Sequence, residues 1–237
     1  MSSCFISPLG DSALLIHFGN KIDEGINKKV LHLFQQIKST SLSYIKDVVP
    51  AYSSIAVHYN VVQVLEKSKT QTAFKTVSKE IKKLLNGETE MLAQATRKIK
   101  IGVCYSAAFG IDLEEMANKK NIFVDEIISL HMSKKYRVYT IGFLPGFAYM
   151  GEVDEKIAIP RRQQPRTNIP AGSVGIAGKQ TGIYPLNSPG GWQIIGRTPV
   201  KLFDKGSDEP VFFKPGDEVE FYSITEDEFE NYKSRTS

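Results

Sequence analysis

The chain has 237 residues, 41% of them hydrophobic and 24% charged, enough to bury a substantial core in one large domain or two small ones. Its formal charge of +4 is modest and no block of five like charges occurs, which excludes a dedicated nucleic-acid binder. The opening lacks a basic leader and reaches Asp11 early, and no run of eighteen apolar residues appears, so a cytoplasmic protein without a membrane span is expected.

From the start of the chain, CFIS and ALLIHF read as strands joined around Gly10, Asp11 and Ser12. EGINKKVLHLFQQIKS follows with helical spacing that puts Ile26, Val30, Leu33, Phe34 and Ile37 on one face. YIKDVVPAY and SSIAVHYN form a second strand pair. TQTAFKTVSKEIKKLLNG is a second helix with Phe74, Val77, Ile81, Leu84 and Leu85 inward and Gly87 as its stop. This ββαββα order predicts a small sheet with helices over one face, a scaffold or docking domain. GETEMLAQATRK breaks the pattern, which puts a domain boundary near residue 93, giving domains 1–93 and 94–237.

KIKIGVCY then reads as a strand and DLEEMANKKN as a helix. Asp112 and Glu115 have capping-box spacing, and Asn121 suits a left-handed closing position. A short helix, VDEIISLHM, leads into a region of short apolar runs cut by Gly and Pro, the pattern of a β-barrel or sandwich. The fold class expected is α+β. Cys4 and Cys104 lie on apolar, strand-like runs without zinc-type spacing and read as buried, reduced thiols.

Ile157 to Phe203 is a stretch of 47 residues without Asp, Glu or His that keeps six cations, Arg161, Arg162, Arg166, Lys179, Arg197 and Lys201. Its glycines, among them Gly172, Gly190 and Gly191, allow close backbone approach, and arginine suits phosphate or carboxylate. Anion binding is one reading; glycines shaping β-turns beside solvated arginines is the other. GSVGIAGKQT fails the Walker pattern, because Ser173 stands where Gly is required and Gln180 where Ser or Thr is. The stretch supplies no carboxylate for Mg²⁺ and no base, so any acid, base or metal ligand comes from outside: Asp112, Glu114, Glu152, Asp154, His131 or another chain. His131, at a helix C-terminus where the dipole favours its charged form, is the candidate catalytic histidine, with a pKa expected near neutrality. Ser188-Pro189-Gly190-Gly191 reads as a type II turn launching Trp192, which is either the wall of a site or a core residue.

GDSALLIHFGNKID, GFLPGFAYM, PRRQQPR, IPAGSVGIAGKQTGIYPLNSPGGW and IGRTP, in that order, resemble the family of 5-oxoprolinase B subunits (PxpB), also called KipI or allophanate hydrolase subunit 1. The resemblance implies a cyclophilin-like β-barrel after a small N-terminal α/β domain. It further implies a component that works with the A and C subunits of a 5-oxoprolinase to open 5-oxo-L-proline to L-glutamate with ATP and Mg²⁺, bound mainly by or shared with a partner. The block carrying the resemblance also contains the remaining candidate substrate-binding residues, Thr181 and Tyr184. SAAFGID departs from the family's Gly-Gly-acid-Phe-Gly-Pro-Asp loop: Ser106, Ala107, Ala108 and Ile111 replace two glycines, the acid and the proline, while Phe109, Gly110 and Asp112 remain. The alternative function is non-enzymatic: a KipI-like inhibitor of a sensor histidine kinase, using apolar loops around Phe143, Phe147, Tyr149, Tyr184 and Trp192. A peptidyl-prolyl isomerase rests on barrel analogy alone.

Overall fold

A computed structural model describes residues 4–68, 70–87 and 96–236. The chain forms two compact units, Met1–Ala95 and Thr96–Ser237. The boundary expected near residue 93 lies outside the described residues.

In the first unit β1 (Phe5–Pro8), β2 (Ala13–His17), β3 (Ile45–Pro50) and β4 (Ser54–Tyr59) form an antiparallel sheet in the order β1-β2-β4-β3. The helices α1 (Glu24–Ser39), α2 (Val61–Lys67) and α3 (Ala73–Asn86) complete it. Asp23 caps α1 by accepting from the Ile26 N–H at 2.8 Å, which satisfies one of the free amides of the first turn. Val30, Leu33 and Ile37 of α1 and Val77 and Ile81 of α3 bury against Leu14, Ile16, Ile55 and Val57. Ile26, Phe34, Phe74, Leu84 and Leu85 pack at the margin of this core. Full burial of each such side chain contributes about 1.5–3 kcal/mol. Gly87 closes α3 as expected, although with φ −67° instead of a left-handed turn. α2 is an addition to the expected order: with 7 residues it is too short to show periodicity, and its one local signal is the Asn60 cap.

The second unit contains β5 (Lys98–Val103), α4 (Leu113–Lys120), α5 (Val124–Met132), β6 (Lys135–Ile141), β7 (Ala148–Gly151), β8 (Arg166–Ile169), β9 (Ser173–Ala177), β10 (Gln180–Ile183), β11 (Ser188–Gly190), β12 (Gln193–Arg197), β13 (Glu218–Ser223) and α6 (Glu226–Thr236). Seven strands form one sheet in the order β12-β9-β10-β7-β6-β13-β5, and β8 with β11 makes a separate ribbon. The sheet curls until its two edges meet: just past β5, Cys104 exchanges backbone hydrogen bonds with Arg197 at the end of β12, at 2.8 and 2.9 Å. This single bridge links the two edges at one end, at the last residue of β12 and one residue beyond β5. Val103, Val138, Met150, Val174, Ile176, Ile195 and Val219 fill the interior. The mixed α+β class is as expected from the sequence. Cys104 is buried and Cys4 half-buried, both as free thiols. No helix among the described residues is long and apolar enough to cross a membrane.

Two local expectations are corrected. Asp112 precedes α4 but makes no capping hydrogen bond, because its carboxylate is drawn to arginines instead. Ser188–Gly190 is a strand paired with β8, and neither Gly190 nor Gly191 has a positive φ, so the type II turn does not form. By contrast Asn121 closes α4 at φ 55°, ψ 45°, in the expected left-handed conformation.

Candidate functional site: an arginine cluster clamped by Asp112

The acid-free stretch acquires an acid through folding. Asp112, 1% exposed, accepts from Arg162 Nη1 at 2.9 Å, from Arg166 Nη1 and Nη2 at 2.9 and 2.6 Å, and from the Ile194 N–H at 2.6 Å. Its own N–H donates to the Ile194 carbonyl at 3.0 Å. One carboxylate therefore fixes the start of α4, the segment before β8, and β12. Arg162 also donates to Glu115 at 3.0 Å. Lys119 and Arg162 together hold the Glu115 carboxyl down to about 2, and Glu115 and Asp112 in turn raise the Arg162 guanidinium. Two of the six cations are thus charge-compensated, and Lys179 and Lys201 pair with Glu155 and Asp204.

Arg161 has a different setting. It is exposed, and its guanidinium lies 5.9 Å from the Trp192 ring centroid, within cation–π range. Trp192 is buried against Phe147, Ile169, Tyr184 and Ile194, so its ring packs in the core with the Arg161 guanidinium on its exposed side. Burial raises the Tyr184 hydroxyl, partly opposed by a backbone hydrogen bond from Trp192 and by Arg161 and Arg166. Tyr149, half-buried and 5.9 Å from Trp192, is likewise raised by burial. A Cβ on Gly190 would lie 2.3 Å from the Tyr184 hydroxyl oxygen, so the absent side chain is what lets Tyr184 reach this place. Gly191 accepts from the Arg162 N–H at 2.7 Å, and Pro189 stands exposed beside it.

The other candidates lie elsewhere. Arg197 donates Nε to the Ala171 carbonyl at 2.8 Å, beside Gly172 and Ser173, with its guanidinium 5.8 Å from the Phe229 ring; burial lowers its pKa. Gly172 has φ +83°, and a Cβ there would meet the Thr198 carbonyl oxygen at 2.2 Å, which makes it a backbone-packing residue. Gln180 begins β10 beside the β9–β10 hairpin, where Gly178 supplies φ +60°, so GSVGIAGKQT is a hairpin and not a phosphate loop. Thr181 is fully buried inside the sheet.

For His131 the expected near-neutral pKa and charged form are corrected. It is 0% exposed, with Nδ1 2.8 Å from the Tyr105 hydroxyl and Nε2 3.0 Å from Thr181 Oγ1. Tyr136 and Phe221 stack on its ring. Burial pushes its pKa down to about 3, the opposite of the helix-dipole expectation, because desolvation outweighs a partial charge at a helix end. Asp112 is the residue whose importance the sequence understated. Its signal was survival in SAAFGID, but capping-box spacing suggested a more local use.

The family of carboxyltransferase domains, subdomain C and D, matches residues 4–213. The chain is 38% identical over 234 residues to the 5-oxoprolinase B subunit of Bacillus subtilis (strain 168), covering 98% of both chains. It is 48% identical over 134 residues to the 5-oxoprolinase B subunit of Escherichia coli O157:H7, over 56% of this chain and 62% of that one. Among solved structures it resembles TTHA0988 with a TM-score of 0.76 and 32% identity, over 90% of this chain but only 39% of that longer one. With its sequence matched end to end and its sheet and arginine cluster assembled from the matched residues, the chain belongs to the PxpB/KipI family of 5-oxoprolinase B subunits, built on carboxyltransferase subdomains C and D.

Proposed function

We propose that the chain is the B component of a cytoplasmic, multi-subunit, ATP-dependent 5-oxoprolinase that opens 5-oxo-L-proline to L-glutamate together with the A and C subunits. The observation that carries this reading is the 38% identity to a 5-oxoprolinase B subunit over 98% of both chains. The second unit is then a cyclophilin-like barrel, and the first serves as its docking domain. The reading makes the chain a non-autonomous contributor whose part of the site is the face of Arg161, Tyr149, Tyr184, Trp192 and Gly191. Arg161 meets the anionic group of substrate or nucleotide, and the tyrosines and Trp192 form the wall behind it.

Mg²⁺ does not fit the described carboxylates around the arginine cluster. Asp112 and Glu115, the carboxylates nearest the cluster, are taken by Arg162, Arg166 and Lys119, and among the described residues no three His, Cys, Asp or Glu side chains gather to hold a metal ion. ATP with Mg²⁺ is accordingly assigned mainly to a partner. That TTHA0988 extends well beyond the matched region is in keeping with a site completed by further chain. Phe143, 65% exposed at φ 68° on the β6–β7 turn, is a candidate anchor for such a partner.

Size-exclusion chromatography with purified homologues of the A and C subunits tests the assembly. The chain is expected to co-elute with the C homologue, and Phe143→Ser is expected to weaken that association about tenfold or more without unfolding the chain. Separate elution of the wild-type chain from both partners contradicts the reading.

A further inference from the structure

A groove lined by three lysines lies within the first unit. α3 packs over β2 and leaves the edge strand β1 partly uncovered, so a groove of 320 Å³ opens between them, lined by Ile6, Phe74, Lys75, Ser78, Lys79 and Lys82. The lysines are spaced by four and three residues and therefore stand on one helix face. None of the three forms an ion pair among the described residues, and the neighbouring acid Glu80 is held by Lys83 at 2.8 Å. Three ammonium groups gathered at one groove, none ion-paired among the described residues, attract an anion.

The groove wall holds an independent indication of a ligand. Ser78 is 8% exposed, and its buried Oγ has no hydrogen-bond partner among the described residues. A buried hydroxyl left unpaired destabilises the fold, and an acceptor entering the groove would relieve it once the lysine stems part. Ile6 and Phe74 give the same groove an apolar side. Phosphate fits the three lysines better than a single carboxylate because it brings up to two charges and three acceptor oxygens. From residue 74 to 82 the helix advances only about 12 Å, the scale of a small molecule and short for a peptide segment.

We propose that this groove binds a small phosphate monoester with an aromatic or aliphatic body, its phosphate among Lys75, Lys79, Lys82 and Ser78 and its body against Ile6 and Phe74. Titration of the ¹⁵N-labelled full chain with phenyl phosphate tests it by NMR. Saturable shifts confined to α3 and β1 are expected, with weaker binding of inorganic phosphate. The Kd is expected to rise at least about tenfold in Lys79→Gln/Lys82→Gln, and again on raising salt from about 50 to about 300 mM. Both lysines are exposed, so this variant keeps the fold. Ser78→Ala is expected to bind several-fold more weakly yet melt higher without ligand, a pair of effects that a purely structural serine does not produce. Non-saturating shifts, or an unchanged Kd in the double lysine variant, overturn the proposal. A Glu-rich hexapeptide that binds more tightly than phenyl phosphate does so too, in favour of a protein partner.

Discussion

Asp112 does most to organise the candidate site at the level of single residues. Its burial is tolerable because two guanidinium groups and one amide surround it, and removing one member of such a set leaves the others desolvated and unmatched. Asp112→Ala is expected to lose about 3–5 kcal/mol in denaturant titration, and Arg166→Ala less, because Asp112 then keeps Arg162 and the Ile194 amide. Arg161→Ala, at an exposed position, is expected to stay within about 0.5 kcal/mol of the wild type. In the reconstituted complex the same change should lower turnover about tenfold or more, the scale of one charge-assisted hydrogen bond. That contrast tests whether Arg161 meets a ligand while Arg166, like Arg162 paired with Asp112, holds the fold. The sequence displayed all three in one acid-free stretch and could not distinguish them, because the distinction lies in an acid about fifty residues away along the chain.

The regular pieces were legible at the level of elements wherever periodicity ran for two turns or more, as in α1 and α3, or where a strand alternated cleanly, as in β4. What escaped was set by tertiary contact. Ser188-Pro189-Gly190 carries turn residues but is held extended by β8, and Gly190 is needed less for φ than for the space that Tyr184 fills. Gly190→Ala is expected to displace Tyr184 and cost about 1–3 kcal/mol, visible as a changed near-UV tyrosine signal in circular dichroism. At Asn121, where the local signal and the structure agree, Asn121→Gly should be nearly neutral, whereas Asn121→Val should lose about 1–2 kcal/mol in the same denaturation assay.

For the whole molecule, the groups whose proton affinity changes most on folding, His131 and Glu115, shape how stability responds to acid. His131 is neutral in the folded state, with a pKa of about 3 against the ordinary 6.5 it regains on unfolding. The unfolded chain therefore binds more protons between those values. This contribution is complete above pH 6.5 and is lost as pH falls toward 3, with a slope of at most about 1.4 kcal/mol per pH unit. Glu115 adds a loss of the same sign as pH falls toward 2, small because its carboxyl is largely solvated. Unfolding free energies measured by denaturant from pH 7 to 4 should follow this fall, and His131→Gln should flatten it.

Function at this scale depends on partners. The most direct measurement is glutamate formation from 5-oxoproline by purified homologues of the A and C subunits with ATP, with and without this chain. Turnover should appear only when the chain is present and consume ATP as it proceeds. Equal turnover in its absence would contradict its assignment as the B component of a 5-oxoprolinase.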